Sequence, residues 1–270
     1  MEEIGVREEI IIVLRMILNL IFDVGTPFYS LFLETSIMKN ITLVCIGFLL
    51  LQITQADQRH FVWTYESKLV QPGEVELETY YTTSALDEND WENTSSTEQQ
   101  FEFEIGMNEK FDFAIYQTFQ TDPGQPVKYK GFKLRWRYQL KDVFFPSLSP
   151  VAYVEYKGTP GFSNHELETK LIFSHSTGNL SFSVNPQIEW EYEDTWESKW
   201  KFTSGVNYQY RKLMGVGLEF FADENSQFAG PVISHGKGDK WVALGSAFQL
   251  HSTSNTAPKI QIRLIMGFGL

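Results

Sequence analysis

Large apolar side chains occupy the even positions of Phe132-Lys133-Leu134-Arg135-Trp136-Arg137-Tyr138-Gln139-Leu140, and bases or amides occupy the odd ones. Successive side chains of a strand point to opposite faces, so this stretch predicts an aromatic face backed by a cationic one. A strand with lipid outside and water inside needs that arrangement. The alternation recurs along the chain. It predicts strands at 73–83, 98–106, 110–121, 128–141, 150–157, 165–175, 180–192, 197–209, 212–222, 227–235, 240–250 and 259–270. The fold expected is all-β, an antiparallel up-and-down transmembrane β-barrel of about twelve strands. Residues 60–66 read either as a short extra strand or as a plug.

Pairing the predicted strands supports one set of faces. Folding 180–192 onto 197–209 about Thr195 sets Glu191 opposite Lys199, Glu189 opposite Lys201, Trp190 opposite Trp200 and Ile188 opposite Phe202. Folding about Arg211 sets Val206 opposite Val216 and Phe202 opposite Phe220. Phe101, Phe103 and Ile105 likewise meet Ile115, Phe113 and Phe111. Salt pairs and apolar pairs then fall on separate faces. With both ends in the periplasm, the acidic loop at 84–97 is expected outside the cell and to be the longest. Short turns are expected near Met107–Glu109, Ser176–Asn179 and Tyr210–Arg211 on the inner side.

Composition is compatible with a barrel. The chain is 15% aromatic and 21% charged, with a mean hydropathy of −0.22. A helical membrane protein is excluded beyond residue 56, where no apolar run is long enough to span. Met38-Lys39-Asn40, the apolar run Ile41 to Ile53 and Thr54-Gln55-Ala56 have the three parts of a secretory signal cleaved after Ala56. Residues 1–37 read as an over-extended start or a non-structural leader, 38–56 as the signal peptide and 57–270 as a single barrel domain. Cys45 falls inside the apolar run, so the mature chain has no disulfide. The formal charge of −12 becomes roughly −9 without residues 1–56, which argues against nucleic acid as a partner.

On the predicted parity Glu74, Glu76, Glu78, Glu102, Glu104, Glu189 and Glu191 form an acidic lumen wall. Lys133, Arg135, Arg137, Lys199, Lys201 and Arg263 form a basic one, with Lys128 and Lys130 nearby and Arg263 closing the ring beside the glutamates of the first strand. Such walls fit either a barrel sealed by salt bridges or a pore whose transverse field orients polar solutes. Gly205, Gly215 and Gly217 make an inner patch without bulk, from strand coiling or as room for a solute. Trp136, Tyr138, Trp190, Tyr192, Trp200 and Tyr208 read as interfacial girdles.

His60, His165, His175, His235 and His251 show no metal-ligand spacing, and no cofactor or metal is expected. His175-Ser176 is the one pair to weigh for an outer-membrane esterase or phospholipase, and no partner Asn is marked. A sealed structural or adhesive barrel and a soluble lipocalin-like barrel are further alternatives to a small channel.

Phe61-Val62-Trp63-Thr64-Tyr65-Glu66 and Pro72-Gly73-Glu74-Val75-Glu76-Leu77-Glu78 resemble the opening of bacterial outer-membrane proteins similar to the phenol-degradation (MetA-pathway) transporter group. The resemblance implies passage of small, apolar or aromatic molecules and carries over no functional residue. Ile260 to Leu270 resembles the C-terminal signal of outer-membrane barrels, although it ends on Leu270 rather than an aromatic residue. Expected partners are outer-membrane lipid and lipopolysaccharide, the barrel-assembly machinery and a small-molecule solute, in the outer membrane of a bacterial cell.

Overall fold

Each long alternating run becomes a strand because its apolar set faces outward while its polar set finds partners inside. A computed structural model describes residues 59–140, 150–192 and 195–270. The expected leader (1–37), the expected signal peptide (38–56) with Cys45 and the segment 141–149 lie outside the described residues. Twelve antiparallel strands close on themselves, each beside its sequence neighbour, with β1 also paired to β12. They are β1 (Val75–Ala85), β2 (Ser95–Asn108), β3 (Phe111–Thr121), β4 (Lys128–Gln139), β5 (Val151–Gly158) and β6 (His165–Thr177). The circuit continues with β7 (Leu180–Tyr192), β8 (Trp196–Arg211), β9 (Met214–Asp223), β10 (Ser226–Lys237), β11 (Lys240–Ser252) and β12 (Ile260–Gly269).

Among the described residues no helix is long and apolar enough to cross a membrane. The outer surface is instead a belt of exposed apolar side chains, among them Phe103, Ile115, Ile188, Trp200, Leu218 and Phe248. The same strands bury Glu102, Glu104, Arg135, Glu189 and Glu219 inside. Apolar-out and polar-in alternation is the inversion of a soluble barrel.

The faces agree with the sequence reading, but the registers do not. Lys199 lies opposite Glu189 rather than Glu191, and Trp200 opposite Ile188 rather than Trp190. Phe202 lies opposite Ala222, and Phe103 opposite Ile115. Each hairpin has slipped by two residues. A slip of two keeps every side chain on its face, so face matching cannot detect it. In two of the three hairpins an irregularity also lies beside the turn, at Gly106/Asn108 and Gln209/Arg211, while β7 and β8 pair without one. Diagonal contacts survive the slip, since Phe202 and Phe220 keep their rings 6.4 Å apart.

The acidic loop is shorter than expected. Pairing of β1 with β2 continues to Ala85 opposite Ser95, leaving 86–94 with one helical turn, α1 (Trp91–Thr94). This loop and the connections 122–127, 159–164, 224–225 and 253–259 share one end of the barrel, the loop end; the two-residue turns 109–110, 178–179, 212–213 and 238–239 lie at the other, the turn end.

Candidate functional site

The lumen is occupied by the chain's own residues 59–74, which enter it ahead of β1. No regular ladder holds this plug. Barrel side chains satisfy its backbone instead, as buried amides require. Val62, Trp63 and Thr64 all donate their N–H groups to the carboxylate of Glu219, at 2.8, 2.9 and 2.8 Å. Three consecutive amides converging on one anion form a nest. Tyr65 N–H donates to Asn185 Oδ1 at 2.6 Å, and Asn185 Nδ2 returns a bond to Tyr65 O at 3.0 Å. Ser67 N–H reaches Ser174 Oγ at 2.9 Å, and Val70 N–H reaches Asp112 Oδ2 at 3.3 Å.

The plug leans on an inner face kept small. A methyl group at Gly205 would stand 2.5 Å from the Phe61 ring, and one at Gly245 2.4 Å from Val62 and 3.0 Å from Trp63. Phe61 and Val62 pack there with Tyr80, Tyr116, Val232, Trp241, Ala243 and Ile265. A second cluster forms where Leu69 meets Val151, Tyr153 and Ile172, with Tyr65 against it. The bare patch expected around Gly205 is therefore taken by Phe61, while Gly215 faces Asn207 and Ser234.

The charged groups line the rest of the interior, and acids and bases intermingle rather than forming separate walls. Arg135 is fully buried, 2.6 Å from Glu102 and 2.7 Å from Glu104. Arg137 contacts Glu104 and lies 2.5 Å from Asp112. Glu76 accepts from Trp241 Nε1 at 2.5 Å, and Glu78 pairs with Arg59 of the plug at 3.2 Å. Lys133 approaches Glu155 at 3.7 Å, and Lys201 lies 2.6 Å from Glu189. Lys199 pairs with Glu191 in a half-exposed contact. Glu74 is not on β1 but in the turn leading into it, where its N–H bonds to Gln71 O at 3.0 Å.

Arg263 is not beside the first strand's glutamates. It lies opposite Thr82, to whose Oγ1 it donates at 2.8 Å, and it donates to Val62 O at 3.2 Å. Its guanidinium sits 5.5 Å from the Trp63 ring. The closing strand meets β1 near the loop end here, above Glu76 and Glu78.

Asp112, Glu155, Lys157, Glu168, Lys170 and Glu219 escaped the sequence reading, although alternation within β3, β5, β6 and β9 puts them on the inner face. The carboxylates of Glu166, Glu168 and Glu189 lie within 4.8 Å of one another, the spacing a metal site requires. Lys157 Nζ already sits among them, in contact with Glu166, 3.2 Å from Glu168 and 3.4 Å from Glu189. Ser176 Oγ bonds to Ser181 Oγ across its hairpin at 2.9 Å, so the hydroxyl weighed as a nucleophile is in a hairpin contact.

Among the described residues a cavity lies on each side of the plug. The one toward the loop end holds about 800 Å³ and is lined by charged groups over an aromatic floor that includes Trp63, Tyr65, Tyr80, Tyr116 and Tyr153. The one toward the turn end holds about 280 Å³, among Arg59, His60, Glu66, Glu78, Arg137 and His175. Tyr65 borders both. His60 Nδ1 lies 2.9 Å from Glu66 Oε1. Burial opposes charge on this imidazole, but the Glu66 carboxylate outweighs it and holds the group above the usual histidine value.

No family model and no curated protein matches the chain. Solved structures do. The KdgM porin in complex with disordered oligogalacturonate aligns with a TM-score of 0.54 at 10% identity, covering 72% of this chain and 99% of KdgM. An outer-membrane channel from Pseudomonas putida F1 aligns at 0.53 and 8% identity, covering 78% and 100%. The NanC porin aligns at 0.50 and 10% identity, covering 73% and 100%. The chain thus has the closed antiparallel barrel fold found in outer-membrane channels and porins. At these identities the likeness extends to the fold alone.

Proposed function

We propose that this chain is a bacterial outer-membrane channel for small solutes whose own N-terminal segment sits across the lumen as a gate. The observation that carries the reading is the 800 Å³ charged cavity at the loop end, separated from a second cavity by the plug. A barrel with only a structural task has no need of such space. The apolar outer belt fits a lipid environment. The solved barrels that share the fold include porins, one of them bound to an acidic oligosaccharide. The lining favours polar or charged solutes, and the aromatic floor suits a ring. Passage of purely apolar molecules, which the resemblance to the phenol-degradation group implies, is less well served by this lining. In this reading the turn end faces the periplasm, β12 is the strand offered to the assembly machinery, and lipid and lipopolysaccharide contact the belt. No catalytic step is assigned.

A sealed barrel is the second reading, and the plug's buried amide bonds favour it. Single-channel recording of the purified, folded protein in planar bilayers separates the two. The channel reading expects rare openings in the native chain and more frequent ones in Gly245→Leu, whose side chain collides with Val62 and Trp63. If neither protein conducts and neither lets solute leak from vesicles, the channel reading fails.

A further inference from the structure

Arg263 differs from the other inward bases. Lys133, Arg135, Arg137, Lys157, Lys170 and Lys201 each have a carboxylate oxygen at 3.7 Å or closer. Arg263 has none at that distance among the described residues. Its hydrogen-bond partners are neutral, the Thr82 hydroxyl and the Val62 carbonyl. Glu98 lies across Thr82 on the other side, about 10 Å from Arg263 along the backbone, and it borders the same cavity without forming an ion pair with the guanidinium. Glu219 is committed to the plug's three amides. A half-buried cation with no anion in contact is costly. This one borders the loop-end cavity together with Trp63, Tyr80 and Gln100.

Two bonds do not exhaust a guanidinium, which has five N–H groups in a planar fork. That fork matches the two oxygens of a carboxylate. Trp63, under the guanidinium at 5.5 Å and beside Phe221 at 5.1 Å, adds a flat apolar surface at the same place. We propose that Arg263 and Trp63 form a subsite on the cavity floor for a small carboxylate solute with a flat ring body. The subsite deepens the channel reading and rests on it for its purpose. It also explains why the last strand's base is spared the salt-bridge network. An arriving carboxylate supplies a counter-charge in contact with the fork, and its ring covers the indole next to the gate.

The test is calorimetric titration of the folded full chain in detergent with benzoate, and with benzyl alcohol as the uncharged partner of similar shape. Benzoate binds at least about tenfold more tightly than benzyl alcohol if a charge-assisted bond is made. R263Q abolishes that difference, whereas R263K retains part of it because the charge survives without the fork. Equal binding of the two probes to the native protein overturns the proposal, and that comparison needs no variant to fold. Preference for benzoate that persists unchanged in folded R263Q also overturns it. Bilayer recording reports separately on the channel: a barrel that binds benzoate but never conducts sinks the channel and leaves the subsite standing.

Discussion

Glu219 holds the plug through a single carboxylate. Its two oxygens accept from three successive amides, a pattern that an amide side chain cannot reproduce because one oxygen becomes a donor. Glu219→Gln is nearly isosteric, so the barrel wall is unchanged while the nest loses its anion. Hydrogen bonds to a charged acceptor contribute about 1.5–3 kcal/mol. Amide exchange at Val62, Trp63 and Thr64 is therefore expected to speed up on the order of 10- to 100-fold. Unaltered exchange at these three amides would mean that packing on Gly205 and Gly245, and not the anion, holds the segment. Arg135 makes the complementary case inside the wall. It is fully buried against Glu102 and Glu104, with Asp112 3.9 Å away. Arg135→Met fills the volume but leaves carboxylates short of a cation, a loss of about 3–5 kcal/mol for a buried pair broken from one side. A lowered unfolding temperature of the micelle-bound barrel is the expected readout, and a melting curve like that of the native protein would contradict it.

The plug behaves as an element of its own, and its turn-end anchor includes a titrating pair. His60 is raised by Glu66 against the opposition of burial. A raised value in the folded state means that the pair's contribution is fully present below the unfolded histidine value, near 6.5. It is lost as pH rises through the higher folded value. The plug's turn-end half is thus expected to loosen on moving from mildly acidic to alkaline solution. An NMR titration of the His60 ring checks this, because Glu66→Gln should remove the upward displacement. The plug also marks where the sequence stopped being legible. Strands declare themselves through a period of two, so the inward faces of β1, β2, β4, β7 and β8 could be read directly, including Glu102, Arg135 and Lys201. Residues 59–74 have no period because their amides bond to scattered side chains such as Glu219, Asn185 and Asp112 rather than to a neighbouring strand. Nothing local in Glu219 distinguishes a nest from a salt-bridge acid. Register was hidden for a different reason: a slip of two residues leaves every side chain on its own face, so matching faces fits both registers equally.

At the scale of the whole molecule, closure is the feature on which the interior depends. The lumen exists only because β1 finds β12, its most distant partner in sequence, and that ladder runs from Glu76 opposite Gly269 to Ala85 opposite Ile260. Charges such as Glu76 and Arg263 sit on the two strands of this seam, so an open sheet would expose both them and the plug's apolar face. Ordering so long a loop is slow, because its entropy is lost before the contacts that offset it form. A cysteine pair reports on it. Thr79 and Met266 are directly opposite on the outer face, at a separation of about 4.5–5.5 Å between α-carbons, which lies within disulfide range. With Cys45 replaced by Ser, Thr79→Cys with Met266→Cys is expected to cross-link under mild oxidation only after the chain has folded into micelles. The linked chain then migrates differently on a denaturing gel. Thr79→Cys with Ile262→Cys keeps the same face but moves the second cysteine four residues along β12, and it should stay reduced. Efficient linkage of the second pair, or failure of the first in folded protein, would place the seam in another register. The loop-end cavity would then have to be rebuilt, since Arg263 would no longer stand opposite Thr82.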